Sequence, residues 1–281
     1  MGIALPPLTP AQESLFLTLG SRAIDSRLPS PLLGDTMADD IVTAVGYDLD
    51  RFPTLRTRLV DPKAKIFDVT VRAKRIDEVV RRFVLARPDA VVLDLGAGLD
   101  GRVFRVDPPP TVDWYDVDFP EVVALRRQLV PPRANAHNVA ADLTDPGWLA
   151  GIPGDRPAML VADGLLPFVA PDDLVALLGR LTAHSPAGEL ALNAYTRYLI
   201  WGLKHSRAMR AISGGVANPG FSDPRLPERW GCGLTLLEEI FLTRAPEVTE
   251  MARPGRAATR LAARSARVSR MIATVVLRYS F

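Results

Sequence analysis

The sequence has a single cysteine, Cys232, in 281 residues, which excludes a disulfide framework and any cysteine-based metal cluster. Its three histidines, His137, His184 and His205, are widely spaced and offer no metal-ligand set. Lysine is almost absent: Lys63, Lys65, Lys74 and Lys204 stand against 30 arginines. No apolar run is long enough to span a membrane, since Asp163, Asp172 and Asp173 interrupt the best candidate. The opening MGIALPPLTP lacks a basic stretch ahead of an apolar core and has Pro6 where a myristoylation signal needs Ser or Thr. No serine sits in a nucleophile elbow either. These absences lead us to expect a reducing, cytoplasmic protein with no metal and no membrane contact. The net charge of +2 is too small to make nucleic acid the default partner. A hydrophobic fraction of 48% rules out wholesale disorder, and the length suits one large α/β domain.

What is present falls into two parts, without internal repeats. Residues 1–88 show helical periods and are expected to form an N-terminal helical cap or lid. Thr9-Pro10-Ala11-Gln12 has the form of a capping box. Ile76, Val79, Val80, Phe83 and Val84 repeat at helical spacing within a helix expected over 69–86. From residue 89 the period changes. Val91–Leu95 is a continuous apolar run of the kind a buried parallel strand needs. Further strands are expected at 112–118, 138–141, 158–162, 189–193, 234–243 and 271–278. Helices are expected at 120–130 and 171–184, with a short one near Trp148. Strands alternating with helices imply a mostly parallel sheet covered on both faces. Residues 195–230 read as a helical and loop insertion near the acceptor side of the site.

The most informative stretch is Val91-Val-Leu-Asp-Leu-Gly-Ala-Gly-Leu-Asp-Gly-Arg. Glycines directly after a parallel strand let backbone approach a ligand at the carboxyl edge of the sheet. Gly96, Gly98 and Gly101 also fit the dinucleotide pattern, so a nicotinamide-dependent oxidoreductase is one reading. Against it, only Arg102–Asp107 precede Pro108-Pro109-Pro110, too short for the usual crossover helix. Asp118, 20 residues after Gly98, ends the next strand, where a carboxylate can accept both hydroxyls of a ribose. Asp116 is its rival, and either could merely cap the helix at Pro120.

The segments LDLGAGLDGRVFRV, VDWYDVDFPEVVALR, AADLTDPGW and ADGLLPFV, in this order and spacing, resemble the leucine carboxyl methyltransferase family and its tetracenomycin-type polyketide O-methyltransferase branch. The similarity runs from about Ala11 to Tyr195 and becomes vague beyond. It implies a Rossmann-like class I methyltransferase fold that binds S-adenosyl-L-methionine (SAM), with a seven-stranded sheet whose last strand is antiparallel. By that resemblance Gly96, Ala97 and Gly98 would pass under the methionine part and Asp118 would hold the ribose. Asp142 and Leu143 would flank the adenine. Asp163 would lie near the cofactor's amino group, and Arg72 would clamp its carboxylate, a pairing guanidinium geometry favours. An ordinary exposed helix charge is the alternative for Arg72. The chain departs from the family at Gly101, where Thr is usual, at Asp163, where Glu is usual, and at Phe168, where Tyr is usual.

The implied reaction is O-methylation of a hydroxyl or carboxyl on a small-molecule acceptor, plausibly a polyketide. A carboxylate acceptor needs no base, whereas a phenol gains from a base or a cation. Tyr195, Tyr198 and His205 are the candidates for that role, with packing or surface exposure as the alternatives. His184 suits a helix C-terminus. A methyltransferase-like protein that catalyses a rearrangement or cyclisation, or only binds a partner, is the second reading. Finally, Arg253, Arg256, Arg260, Arg264, Arg267 and Arg270 recur at helical spacing, and no acid follows Glu250. One helix carrying them on a broad face would be either solvated or an anionic contact, with nucleic acid the least favoured partner. Seven arginines and no acid in residues 251–281 leave residues 1–250 at −5.

Overall fold

The computed structural model describes residues 9–51, Leu55 and 61–281. Seven strands form one sheet in the order β3-β2-β1-β4-β5-β7-β6. They are β1 (Val91–Leu95), β2 (Asp113–Asp118), β3 (Ala136–Ala140), β4 (Ala158–Ala162), β5 (Gly188–Ala194), β6 (Thr235–Phe241) and β7 (Val275–Ser280). Pairs β1–β2, β1–β4, β2–β3 and β4–β5 are parallel, while β7 runs antiparallel between β5 and β6. This is the expected seven-stranded α/β fold. Chain order reverses between β1 and β4, and ligands of such sheets bind at the carboxyl edge beside that switch.

The strand period of two sorts the core into two layers. Val91, Leu93 and Leu95 pack with Leu160, Leu190 and Leu277 against Leu174, Leu177, Leu178 and Leu181 of α6 (Pro171–His184). On the other face Val92, Met159, Val161 and Val276 meet Ile76, Val79, Val80 and Phe83 of α3 (Pro62–Ala86). Helix α3 thus packs on one face of the sheet, although it lies within the residues 1–88 expected to form a cap or lid. It also begins earlier than its apolar period suggested. Asp61 accepts from the Lys63 amide at 3.1 Å and Pro62 occupies the first turn, so capping starts the helix where periodicity is interrupted by charge.

Ahead of α3 lie α1 (Pro10–Ser26) and α2 (Thr36–Val45). The Thr9–Gln12 capping box is present, with both reciprocal bonds formed. In the last turn of α1 the buried Asp25 carboxylate accepts from the amides of Leu32, Leu33 and Gly34 at 2.7, 2.8 and 2.9 Å, which fixes the α1–α2 connection. Phe16 and Leu19 of α1 and Ile41 of α2 share a cluster with Leu99 and Leu125, seating this pair over the glycine turn.

Two further expectations change. The arginine-rich stretch is not one helix: α9 (Arg253–Ala262) ends at Ala263, and Ser265 caps a separate α10 (Ala266–Ile272). The last strand therefore starts at Val275 rather than 271, because Met271 and Ile272 complete the helix. No helix of the described residues is long and apolar enough to cross a membrane.

Candidate active site

Strand β1 ends in a turn that only a flexible backbone can make: Gly96 and Gly98 have φ of +67° and +54°. The turn is clamped from β2, where the Val117 carbonyl accepts from the Gly96 amide at 2.8 Å and Asp118 Oδ2 accepts from the Gly98 amide at 2.7 Å. Arg126 on α5 (Pro120–Leu129) fastens its far side by donating to the carbonyls of Gly98 and Asp100 at 3.1 and 2.7 Å. The same guanidinium pairs with Asp116 at 2.6 Å. Asp116 also accepts from the Trp114 indole at 3.0 Å and is buried, so it is a structural anchor. Asp118 keeps its place on the cavity wall. It accepts from the Phe119 amide at 2.8 Å but makes no side-chain cap of α5.

A cavity of about 520 Å³ opens over this turn, a size suited to small-molecule ligands. Its floor is Gly96, Ala97, Gly98 and Asp118 with Asp142 and Leu143, which follow β3. Its walls come from α1, from the 65–73 face of α3, from Asp163 and Phe168 after β4, and from Tyr195 after β5. Leu203, Met209 and Ile212 close it from the 195–230 segment. The structure thus brings Arg72, Gly96, Ala97, Gly98, Asp118, Asp142, Leu143 and Asp163 to one cavity. Asp142 Oδ1 accepts from the Thr144 amide and hydroxyl at 2.9 and 2.8 Å, which presents this carboxylate at the rim.

Arg72 is buried, not an exposed helix charge. Its Nε donates to Asp163 Oδ1 at 2.6 Å and its Nη1 to the Tyr195 hydroxyl at 3.2 Å. Burial alone would push the Asp163 carboxyl up, but the guanidiniums of Arg72 and Arg102 outweigh it and hold it below the usual range. Burial also raises Tyr195, against the pull of Arg72, so its phenol is neutral near pH 7 and no ready base. Tyr198 and His205 do not line the cavity. Both sit on the outer side of α7 (Arg197–His205), where His205 stacks on Trp201 and its Nδ1 lies 2.8 Å from the Trp201 carbonyl. His184 Nε2 reaches the Ile152 carbonyl at 2.9 Å, a structural contact at the end of α6.

Arg102 was invisible as a site residue in the sequence. It begins the five-residue α4 (Arg102–Val106) and is almost fully buried. It donates to Asp77 at 2.8 Å, to both oxygens of Asp94 at 3.0 and 2.8 Å, and to Asp163 at 2.6 Å. Arg105 and Arg22 extend this network through Asp35, Asp77 and Asp100. Burial drives Asp94 up to about 7 in spite of Arg102, with Asp116 and Asp100 adding to the rise. Asp100 goes the other way, because Arg105, Arg22 and Arg102 overcome its burial. In the sequence Asp94 and Arg102 merely flank the glycine turn, with nothing to mark them as a pair. Only the fold adds Asp77 and Arg22.

Residues 16–182 match the leucine carboxyl methyltransferase family. The chain belongs to this family. It is 38% identical over 250 residues to the tetracenomycin polyketide synthesis O-methyltransferase TcmP of Streptomyces glaucescens, covering 86% of this chain and 88% of that one. It is 30% identical to the S-adenosyl-L-methionine-dependent methyltransferase dpfgK of Gibberella zeae, covering 84% and 83%. A solved candidate methyltransferase of Thermobifida fusca superposes with a TM-score of 0.51 at 17% identity, over 92% of this chain and 93% of that one, which supports the fold. The protein is a SAM-dependent methyltransferase. The glycine turn shares its cavity with the Asp118 carboxylate at the β2 end and with the Arg72 guanidinium. Gly101, where the family usually has Thr, makes room for α2. A Cβ there would lie 2.7 Å from Met37 Sδ.

Proposed function

We propose that this methyltransferase modifies a carboxyl or hydroxyl oxygen of a small, polyketide-type metabolite. The observation that carries the proposal is the cavity above the glycine turn, in which the polar groups at the strand ends share the lining with the apolar side chains of Leu15, Leu17, Leu203, Met209 and Ile212. The likeness to TcmP supports the acceptor class.

In this reading Gly96, Ala97 and Gly98 pass under the methionine part of SAM, Asp118 takes the ribose hydroxyls, and Asp142 with Leu143 receives the adenine. Arg72 donates to the carboxylate and Asp163 accepts from the amino group, a pair of charges complementary to the ligand's own. SAM supplies a methyl group already activated on a sulfonium. The protein's part is to hold the acceptor oxygen in line and keep water out. α1, α2 and the 195–230 segment act as the cap that does so. A carboxylate acceptor is ionised at neutral pH and requires no base. Neutral Tyr195, bonded to Arg72, then orients the acceptor by hydrogen bonding instead of removing a proton. The free thiol of Cys232, buried in the core, suits a reducing, cytoplasmic setting.

Calorimetry with SAM and its demethylated product tests the cofactor assignment, with submillimolar binding expected. A turnover screen of aromatic acids and phenols, following the demethylated product and locating the new methyl by NMR, tests the acceptor. Methylation on carbon or nitrogen, or turnover only of non-aromatic acceptors, overturns the proposal.

A further inference from the structure

Two stretches without a single acidic residue meet on one side of the molecule. Residues 190–222 and 251–281 contain no Asp or Glu. They supply α7, α8 (Arg210–Ser213), α9 and α10, and these helices pack as a continuous group, α9 on α10, α10 on α7 and α7 on α8. The Thr196 hydroxyl at the start of α7 donates to the Arg270 carbonyl of α10 at 3.2 Å. Within this group Arg270 is spent on Glu239, at 2.6 Å through two nitrogens. The other cations have no ion pair among the described residues: Arg197, Lys204, Arg207 and Arg210 on one side, and Arg253, Arg256, Arg260, Arg264 and Arg267 on the other.

The same helices carry six of the nine large apolar side chains exposed among the described residues: Tyr198, Trp201, Leu261, Val268, Met271 and Ile272. Trp201 is 60% exposed. Exposed Trp, Tyr and Met together with unpaired arginines on one group of helices have the composition of a protein-binding surface. All but one of these cations are arginines, whose planar fork pairs with carboxylates. The helices also reach the cavity, since Leu203 of α7 and Ile212 of α8 line it.

We propose that this face docks an acidic carrier protein that presents an acceptor hydroxyl to the cavity, the acceptor's own carboxyl being held in the carrier thioester. The proposal rests on the small-metabolite reading above and adds how the acceptor arrives. A second copy of this chain is a poor occupant, because a two-fold contact would set arginine against arginine.

The test is fluorescence anisotropy with a labelled acidic acyl carrier protein bearing an aromatic thioester, titrated with the full chain. Binding is expected to weaken about tenfold or more between about 50 and 300 mM NaCl, as screened charge pairs do. Two variants, Arg260→Glu/Arg264→Glu/Arg267→Glu and Trp201→Ala, are each expected to lose about tenfold or more while binding SAM as the parent does. No binding at concentrations up to about 100 μM, a range that covers weak transient complexes, overturns the proposal. So does binding that neither variant weakens, or binding of phosphatidylglycerol vesicles or duplex DNA in place of the carrier. Anisotropy needs no turnover, so this result stands apart from the identity of the acceptor, which the methylation screen decides.

Discussion

Arg102 and Asp118 show two ways a single side chain serves the site. Arg102 lines the cavity and holds Asp94 and Asp163 in place there. Replacing it by Met leaves several buried carboxylates short of their counter-charge. A loss of about 3–5 kcal/mol is expected in urea unfolding. Arg102→Lys should recover little, since one ammonium cannot reach Asp77, Asp94 and Asp163 together. Asp118 is the converse, a carboxylate on the cavity wall whose local bonds are to two backbone amides. Asp118→Ala should weaken SAM binding by roughly 2 kcal/mol, about thirtyfold in Kd by calorimetry, through lost charged hydrogen bonds. Unchanged affinity would remove the ribose from this residue. At this scale Asp118 was legible because strand, turn and spacing are local. Arg102 was not, because a buried cation cannot be told from a surface one without its partners.

Among the elements, the α1–α2 pair decides whether the glycine turn is covered. Its capping box is encoded in four consecutive residues and was legible at once. The Asp25 anchor spans nine residues of irregular chain and gave no local pattern. Asp25→Ala would strip three amides of their acceptor, two of them part-buried and one buried. The expected cost is about 2–4 kcal/mol in thermal unfolding, with faster proteolysis near residues 27–35 as a second readout. Full resistance to protease in that variant would show that α2 is held by packing alone. The divided arginine helix is the opposite case. A three- to four-residue charge period favoured one helix, yet Ser265 can cap a new helix as readily as continue an old one. Packing of α10 against α7 settles the choice.

For the whole molecule, the ionic network links stability to pH in two directions. Asp163 and Asp100 lie below the usual carboxylate range, so their contribution is present above it and is lost as the solution is acidified through their folded values. Asp94, raised to about 7, favours the folded state while protonated. That contribution is complete below the unfolded carboxyl value of about 4 and is lost as pH rises to about 7. Asp94→Asn should therefore make the stability profile less steeply falling between about pH 5 and 7 in urea titrations, even if its overall stability drops. An unchanged slope would place the Asp94 proton elsewhere. The sequence by itself determined the α/β class, the parallel strands around the glycine turn and the family motifs, because strand period, turn chemistry and motif spacing are properties of neighbouring residues. Only the tertiary structure decided which arginines are buried, that Tyr198 and His205 face away from the cavity, and that two acid-free segments adjoin. Each of these depends on contacts between residues far apart in the chain, and a charge or an aromatic ring acquires its role from what the fold sets beside it.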